Sequence, residues 1–504
     1  MLLSGVFLAY LILATMIDSR ASPGSHVVRR PLWAQGLSLT ALTLLFLVWF
    51  APTGRPIFAA ISALITIAIV VEISNLKYRD VLEPVNVMDF TLLRQIWRHP
   101  RLYRAEFLRH WLFWVGIAML IAVIAGWFML IEVSVLGHPD QWGVLAAMCL
   151  ATALAIGWVF VGPLPRSLIA GLKQRVMPPD VSRDVSVLGF AGATLAGIIA
   201  YRDPPHATRT FPQLPLGKPQ TGPPVVIVVQ AESFVDLARI GLRDIALPGL
   251  AEARSKAALF GPLTVPVQGA WTLRCEFSFL TGLPVHEFGF DALHPYRRMP
   301  HPRRTIAHHF RDHGFRTVFV HPFDLTFFNR HVAMPQLGFD TLIGEETFSE
   351  GDRDGYYVSD RAVADLVLRF AESESSPLFC MVATMENHNP WQPGRLPNIN
   401  DPVEQYIHHL QNSDRMIARL MRGIEAIGRP AVLVFYGDHV PTLHALAEPF
   451  PDTRTDYFIA AWPGGGWLAG EGRALSLDQL AEATVSVYRT MASMATVERA
   501  RASE

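Results

Sequence analysis

Pro224-Val-Val-Ile-Val-Val-Gln230 runs without a break into Ala231-Glu232-Ser233. Five β-branched residues in a row, with no polar alternation, read as a strand buried on both faces, as strands of parallel sheets are. Similar short runs recur at Thr317–Val320, Leu378–Ala383, Ala431–Phe435 and Tyr457–Ala461. Helical periodicity lies between them, for example at Arg361–Phe370 and Gln405–Ile427. This alternation predicts an α/β domain around a mainly parallel central sheet.

In such sheets ligands bind outside the carboxyl ends of the strands. The residues at those ends are polar. Strand 224–230 runs into Glu232, strand 317–320 into His321, strand 378–383 into Thr384-Met-Glu-Asn-His388, and strand 431–435 into Tyr436-Gly-Asp438-His439. Each alone is commonly a loop cap or a satisfied histidine. Together they place carboxylates and imidazoles along one edge of the sheet.

Between the first two strands lies Gln268-Gly-Ala-Trp-Thr-Leu-Arg-Cys-Glu-Phe-Ser-Phe-Leu-Thr-Gly282. It sets the hydroxyl of Thr272 at the start of an apolar helix, where unpaired N–H groups and partial positive charge suit an anion such as phosphate. A threonine in that position is ordinarily a cap. Cys275, one turn on, reads as core packing, and Glu276 as a brace of the loop or helix. Trp391, after His388, is a candidate for stacking on a substrate.

Working outward to the N-terminus, the composition changes. The chain has 504 residues, 51% of them hydrophobic, and a net charge of −1, which gives no sign of a nucleic-acid partner. Charged residues are scarce before about position 200 and frequent after it. Apolar runs at 1–17, 32–51, 56–74, 110–131 and 141–163 approach the length of a membrane span, and a Gly-containing sixth, Val185–Tyr201, is marginal. The first lacks a basic n-region and a small-residue cleavage site, so it reads as a retained span. Basic residues collect in alternate loops: Arg20, Arg29 and Arg30; then Lys77, Arg79, Arg94, Arg98, Arg101, Arg104 and Arg109; then Arg166, Lys173, Arg175 and Arg183. Cytoplasmic loops gather such residues, so the pattern favours six spans over five, with the C-terminal half outside. The segment Asn75–Tyr103 reads as a loop with one interfacial helix. The expected layout is a multi-span helical membrane domain at 1–201, a proline-rich linker at 202–223 and a catalytic domain at 224–495. The three cysteines, Cys149, Cys275 and Cys380, have neither disulfide nor zinc spacing.

Glu232, Asp438 and His439 offer oxygen and imidazole ligands with no thiolate, a set that suits Mn²⁺, Mg²⁺ or Zn²⁺. A cation touching Thr272 would lower its hydroxyl pKa enough to make a nucleophile. His321, His388 and Arg330 would hold a phosphate or assist the leaving group, Arg through its two-pronged donor fork.

These segments resemble the lipoteichoic acid synthase family, membrane phosphoglycerol transferases of the alkaline phosphatase and sulfatase superfamily. Gln-Ala-Glu232-Ser-Phe resembles the family's metal-ligand strand end. Gly-Ala-Trp-Thr272-Leu-Arg-Cys-Glu276-Phe resembles its Gly-Lys-Thr-Ser-Asp-x-Glu-Phe nucleophile segment. His321-Pro-Phe-Asp-Leu-Thr-Phe-Phe328-Asn329-Arg330 resembles its His-Gly-Asp-Tyr-Lys-x-Phe-Trp-Asn-Arg glycerophosphate-binding segment. Glu-Asn-His388-Asn-Pro-Trp resembles Ser-Asn-His-x-Pro-Phe, and Asp438-His439 the last metal-ligand pair. The resemblance implies a sulfatase-like domain after the membrane domain. Thr272 would be nucleophile and metal ligand with Glu232, Asp438 and His439, and His321, Phe328, Arg330 and His388 would bind substrate. One divalent cation, Mn²⁺ foremost, is implied. So are phosphatidylglycerol as donor, a glycan such as a periplasmic glucan or surface polysaccharide as acceptor, and a multi-pass place in the cytoplasmic (inner) membrane with the catalytic half facing out. Three positions depart from the family: Trp271 stands for its lysine, Phe328 for its tryptophan and Phe323 for the Asp of its His-Gly-Asp triplet. Alternatives are a phosphoethanolamine transferase, a phosphodiesterase of the same superfamily, or a non-catalytic membrane sensor that keeps the fold. A sulfatase would need a Cys-x-Pro-x-Arg context, which neither Cys275 nor Cys380 provides.

Overall fold

The computed structural model describes all residues except 1, 25–29, 101, 103–110, 137–140, 177–179, 203–209, 218, 220–221, 299–303, 464–465 and 503–504. Arg29, Arg101, Arg104 and Arg109 of the basic loops, and much of linker 202–223, lie outside the described residues. The chain divides into two compact units, Met1–Pro205 and His206–Glu504.

Among the described residues, four helices of the first unit are long and apolar enough to cross a membrane: Leu32–Phe50, Pro56–Val81, Trp114–Ile131 and Trp142–Val161. Two apolar helices are shorter, Leu2–Asp18 and Phe190–Tyr201. The apolar run Val185–Tyr201 is not one helix. It breaks at Gly189, whose φ of 74° ends Val181–Leu188 before Phe190–Tyr201 begins. Asp18 fixes that break: its Oδ1 accepts from the Ala191 N–H at 2.6 Å, and its Oδ2 from Arg30 at 2.8 Å. A carboxylate at a helix start takes up otherwise unpaired N–H groups. Within Asn75–Tyr103, a turn at Asp89–Leu92 continues into a short helix, Leu93–Arg98, with Phe90, Leu93 and Trp97 exposed.

The second unit is built on a sheet of nine strands among the described residues. Its main members are β1 Val225–Ala231, β2 Leu259–Thr264, β3 Arg316–Val320, β4 Thr341–Ile343, β5 Leu378–Ala383, β6 Ala431–Gly437 and β7 Thr455–Trp462, in the order β2-β7-β6-β1-β5-β3-β4. Two short edge strands, Glu471–Gly472 and Leu475–Ser476, pair with β2. β1 pairs in parallel with both β5 and β6, and β5 with β3; only β7 runs against the rest. The sheet is therefore mixed and mostly parallel, as the sequence predicts. β2 has no counterpart in the sequence reading, because Gly261-Pro262 looks like a turn. It is a strand because the proline's missing donor is tolerated away from the central ladder.

Side chains alternate across the sheet. Val225, Ile227 and Val229 of β1 face a core shared with the helices Pro248–Lys256, Asp360–Ser373 and Pro402–Ile427. Gln230, on the opposite face, reaches the helix Thr272–Thr281: its amide donates to the Thr272 carbonyl at 3.3 Å and accepts from the Tyr436 hydroxyl at 2.7 Å. The parallel register carries Glu232, His321, His388 and the Asp438-His439 pair to the same edge of the sheet.

Candidate active site

Thr272 is the first residue of its helix, not its cap. The cap position is Trp271, which makes no side-chain capping bond. The Thr272 hydroxyl instead donates to Glu232 Oε2 at 3.3 Å. Glu232 leaves the end of β1 through Ser233, which has a φ of 52°. Ser233 clamps the arrangement, donating its hydroxyl to Glu232 Oε1 and its backbone N–H to Asp438 Oδ1, each at 2.8 Å. The Thr384 hydroxyl, at the end of β5, accepts from the Glu232 N–H at 3.0 Å.

Ser233, Trp271, Phe328 and Asn329 all have positive φ, an unfavourable region for non-glycine residues. Strain of this kind gathers where side chains must be held in fixed places. Gly437, at the end of β6, is required for another reason. A Cβ there would fall on the Phe234 carbonyl oxygen.

Glu232, Asp438 and His439 are all buried, and one ligand atom from each lies within 4.8 Å of the others. Three observations fit this set to a divalent cation. His439 Nδ1 faces the Val440 carbonyl at 3.0 Å, so Nδ1 carries the proton and Nε2 offers its lone pair. Nε2 faces Glu232 and Asp438 carboxylate oxygens at 3.4 Å and 3.5 Å. Asp438 Oδ2 is buried with no hydrogen-bond partner within bonding geometry among the described residues. Burial first, and then Glu232 beside it, push the Asp438 carboxyl well above its usual range. Two carboxylates buried together need a proton or a cation between them.

Beside this set, Glu276 and Arg330 form a buried ion pair. Tyr296 donates its hydroxyl to Glu276 Oε2 at 2.8 Å, and Arg330 Nη1 donates to His321 Nε2 at 3.1 Å. His321 Nδ1 donates to the Ala383 carbonyl at 3.0 Å. Burial and then Arg330 hold His321 well below its usual pKa, so the ring is neutral and orients the guanidinium. Glu276 is thus a brace, as the sequence reading has it, and what it braces is Arg330. Cys275 is buried with its thiol on the Asp438 carbonyl at 3.1 Å, a packing role.

Two of the three positions that depart from the family, Trp271 and Phe328, meet each other. The Trp271 ring stacks on Phe328 at 6.0 Å between centroids, the Arg274 guanidinium lies 4.4 Å over Trp271, and Phe323 packs edge-on against Phe327. Trp391 is not available for stacking on a substrate. It is buried in the core, edge-on to Tyr406, with its indole N–H on Asn387 at 3.2 Å.

His388 donates Nδ1–H to the Asn389 carbonyl at 2.7 Å, which leaves Nε2 as the ring's acceptor. Its loop is pinned by Glu386, which the sequence reading left without a role. Glu386 accepts from the Asp360 N–H at 2.5 Å, from His409 Nδ1 at 2.8 Å and from the Asn412 amide. Arg395 donates to the carbonyls of Glu386, His388 and Pro390. A second ligand-like group, Asp354 with His408 and His409, adjoins this network. Asp354 takes hydrogen bonds from His408 at 2.8 Å and Asn412 at 2.7 Å, so the group serves as bracing.

Residues 224–488 match the family profile described as sulfatase. The chain is 34% identical, over 434 residues, to the capsular polysaccharide biosynthesis protein RkpI of Rhizobium meliloti (strain 1021), covering 84% of this chain and 80% of that one. A second protein of that organism, provisionally named for cyclic beta-1,2-glucan modification, is 27% identical over 46% of this chain and 38% of its own length. Among solved structures, the Streptococcus pyogenes phosphoglycerol transferase GacH, in complex with sn-glycerol-1-phosphate, superposes with a TM-score of 0.44 at 22% identity, covering 54% of this chain and 78% of that one.

Proposed function

The chain belongs to the sulfatase family, and on that premise we propose that it is a membrane phosphoglycerol transferase. It would move glycerophosphate from phosphatidylglycerol to a glycan outside the cytoplasmic membrane, through a covalent phosphothreonine. The observation that carries this reading is the Thr272 hydroxyl hydrogen-bonded to Glu232, beside the buried Asp438 and His439. Threonine at the nucleophile position, without a Cys-x-Pro-x-Arg context, supports phosphoryl over sulfuryl chemistry.

In the first half-reaction the Thr272 oxygen forms a bond to phosphorus as the bond to the diacylglycerol oxygen breaks. The Thr272 proton is lost and diacylglycerol leaves with a proton taken up. In the second half-reaction a glycan hydroxyl attacks the same phosphorus, gives up its proton, and the Thr272 oxygen departs and is reprotonated. A divalent cation, Mn²⁺ foremost, held by Glu232, Thr272, Asp438 and His439 would supply charge neutralisation and a lowered hydroxyl pKa. Glu232 orients the hydroxyl by accepting from it. Arg330, fixed by Glu276 and His321, keeps further N–H groups for phosphate oxygens. His388, neutral with Nε2 as acceptor, takes a hydrogen bond from the incoming hydroxyl. Names of relatives that refer to capsular polysaccharide and to cyclic glucan support a glycan as the acceptor. The apolar helices of the first unit support a lipid donor met at the bilayer.

The test is to incubate the full chain in lipid nanodiscs with Mn²⁺, glycerol-labelled phosphatidylglycerol and candidate glycans. Label transferred to a glycan is expected. Label released only to water would make the protein a phosphodiesterase, and label taken only from phosphatidylethanolamine would replace the donor.

A further inference from the structure

Between two of the membrane-length helices, Pro56–Val81 and Trp114–Ile131, the turn at Asp89–Leu92 and the helix Leu93–Arg98 form one short segment. Its inner side is held in place. Met88 and Leu92 are buried. Lys77, near the end of the first helix, donates to Asp89 Oδ2 at 2.7 Å and to the Pro84 carbonyl at 3.0 Å. The Ser74 hydroxyl accepts from the Val85 N–H at 3.0 Å. At the other end of the segment the Trp97 ring lies 6.3 Å from that of Trp114, where the second helix starts. The segment is thus fastened to the end of one apolar helix and to the start of the next, the depth at which a bilayer meets water.

Its outer side is apolar. Phe90, Leu93 and Trp97, at i, i+3 and i+7, share one face and are 56%, 60% and 55% exposed. Arg94 and Arg98 are exposed on the flank of the same stripe, each directly after one of its members. The segment's one carboxylate, Asp89, is already paired with Lys77. What it offers outward is therefore apolar and cationic. An apolar stripe with an aromatic ring and flanking arginines suits a helix lying in a membrane surface, its rings at the acyl boundary and its cations at the head groups.

We propose that Asp89–Arg98 lies in the bilayer surface and binds anionic phospholipid. Phe90, Leu93 and Trp97 enter the acyl boundary, and Arg94 and Arg98 pair with head groups of net negative charge. The proposal does not depend on the transferase reading.

The experiment places the full chain in nanodiscs that carry bromine-labelled acyl chains on either phosphatidylcholine or phosphatidylglycerol, at equal mole fraction, and measures quenching of tryptophan fluorescence. Because the chain has twelve tryptophans, the Trp97 signal is taken as the difference between wild type and Trp97→Phe, a conservative change at an exposed position. Trp97 should be quenched by both labels, and about twofold more by the phosphatidylglycerol label. The double variant Arg94→Gln with Arg98→Gln should keep the quenching and lose the excess, and high salt should reduce the excess in wild type. Quenching by neither label would mean that a second copy or another protein covers the face. Equal quenching by both in wild type, or an excess that survives the double variant, would mean that the arginines select nothing. Any of these three results overturns the proposal.

Discussion

Both carboxylate oxygens of Glu276 accept hydrogen bonds from Arg330 Nε, at 3.1 Å and 3.2 Å, with both side chains withdrawn from solvent. Thr272 and Glu276 are four residues apart on one helix, so the helix that presents the proposed nucleophile also holds the arginine proposed to bind phosphate. Breaking one side of such a pair strands the other charge. Glu276→Gln is expected to cost about 3–5 kcal/mol of stability. The double variant Glu276→Leu with Arg330→Met should recover much of it without recovering transfer. Thermal unfolding followed by tryptophan fluorescence checks the order, and a double variant less stable than either single one would contradict it.

Thr272→Ala should remove the covalent step. On the order of a 10⁴-fold or greater loss of turnover is expected for a nucleophile acting with its neighbours as a unit. Cation binding should weaken less, since Glu232, Asp438 and His439 remain. Intact-protein mass spectrometry after brief exposure to phosphatidylglycerol should find a glycerophosphate adduct in wild type and none in Thr272→Ala. An adduct that survives the substitution would place the nucleophile elsewhere.

The proposed cation set fixes the sign of the pH dependence. Burial and then Glu232 raise Asp438 to about 7; burial pulls His439 down, but Asp438 and Glu232 outweigh it and hold it above its usual value. Both groups thus bind protons more tightly in the folded than in the unfolded state. Their stabilising contribution is fully present below the unfolded values, near about 4 for the carboxyl and about 6.5 for the imidazole. It is lost as pH rises through the folded values. The chelator-treated protein should therefore lose thermal stability between about pH 5 and 8, while the gain on adding Mn²⁺ should grow over the same window. Scanning calorimetry with and without Mn²⁺ checks this, and a gain independent of pH would count against the assignment.

Much of this was legible in the sequence because the signals are local. A β-branched run buried on both faces identifies β1, and the polar residue directly after each strand identifies Glu232, His321 and Asp438. Glu386 was hidden although it is next to a quoted motif, because its meaning comes from Asp360, His409 and Asn412, which chain order keeps apart. Trp391 misled for the opposite reason. A tryptophan after a strand-end histidine looks like a binding surface until the packing of Tyr406 buries it. The break at Gly189 depends on Asp18, 171 residues earlier, and no periodicity reports such a contact.

Glu386 gives a prediction of its own. Glu386→Ala leaves the Asp360 N–H and His409 without their acceptor, which should cost about 3 kcal/mol and loosen the loop that carries His388. Glu386→Gln keeps one acceptor oxygen and should lie between. Hydrogen exchange at residues 386–390 should rise in the order wild type, Gln, Ala. Equal protection in all three would show that Arg395, through its bonds to the carbonyls of Glu386, His388 and Pro390, holds the loop alone.

Trp271 invites the substitution that restores the family's lysine, and the structure argues that this restoration fails. Trp271 fills the space between Phe328 and the Arg274 guanidinium, 4.4 Å from its ring. A stacked cation on an indole contributes about 0.5–2 kcal/mol, and a lysine there would set a second positive charge against Arg274. Trp271→Lys should therefore lower both thermal stability and turnover instead of improving phosphate binding. Adding Arg274→Gln should return part of the loss by removing the repulsion. Trp271→Phe, which keeps an aromatic face, should remain within a few-fold of wild type. If Trp271→Lys alone raised turnover, the aromatic wall would be dispensable, and the departure from the family at this position would have no bearing on the substrate.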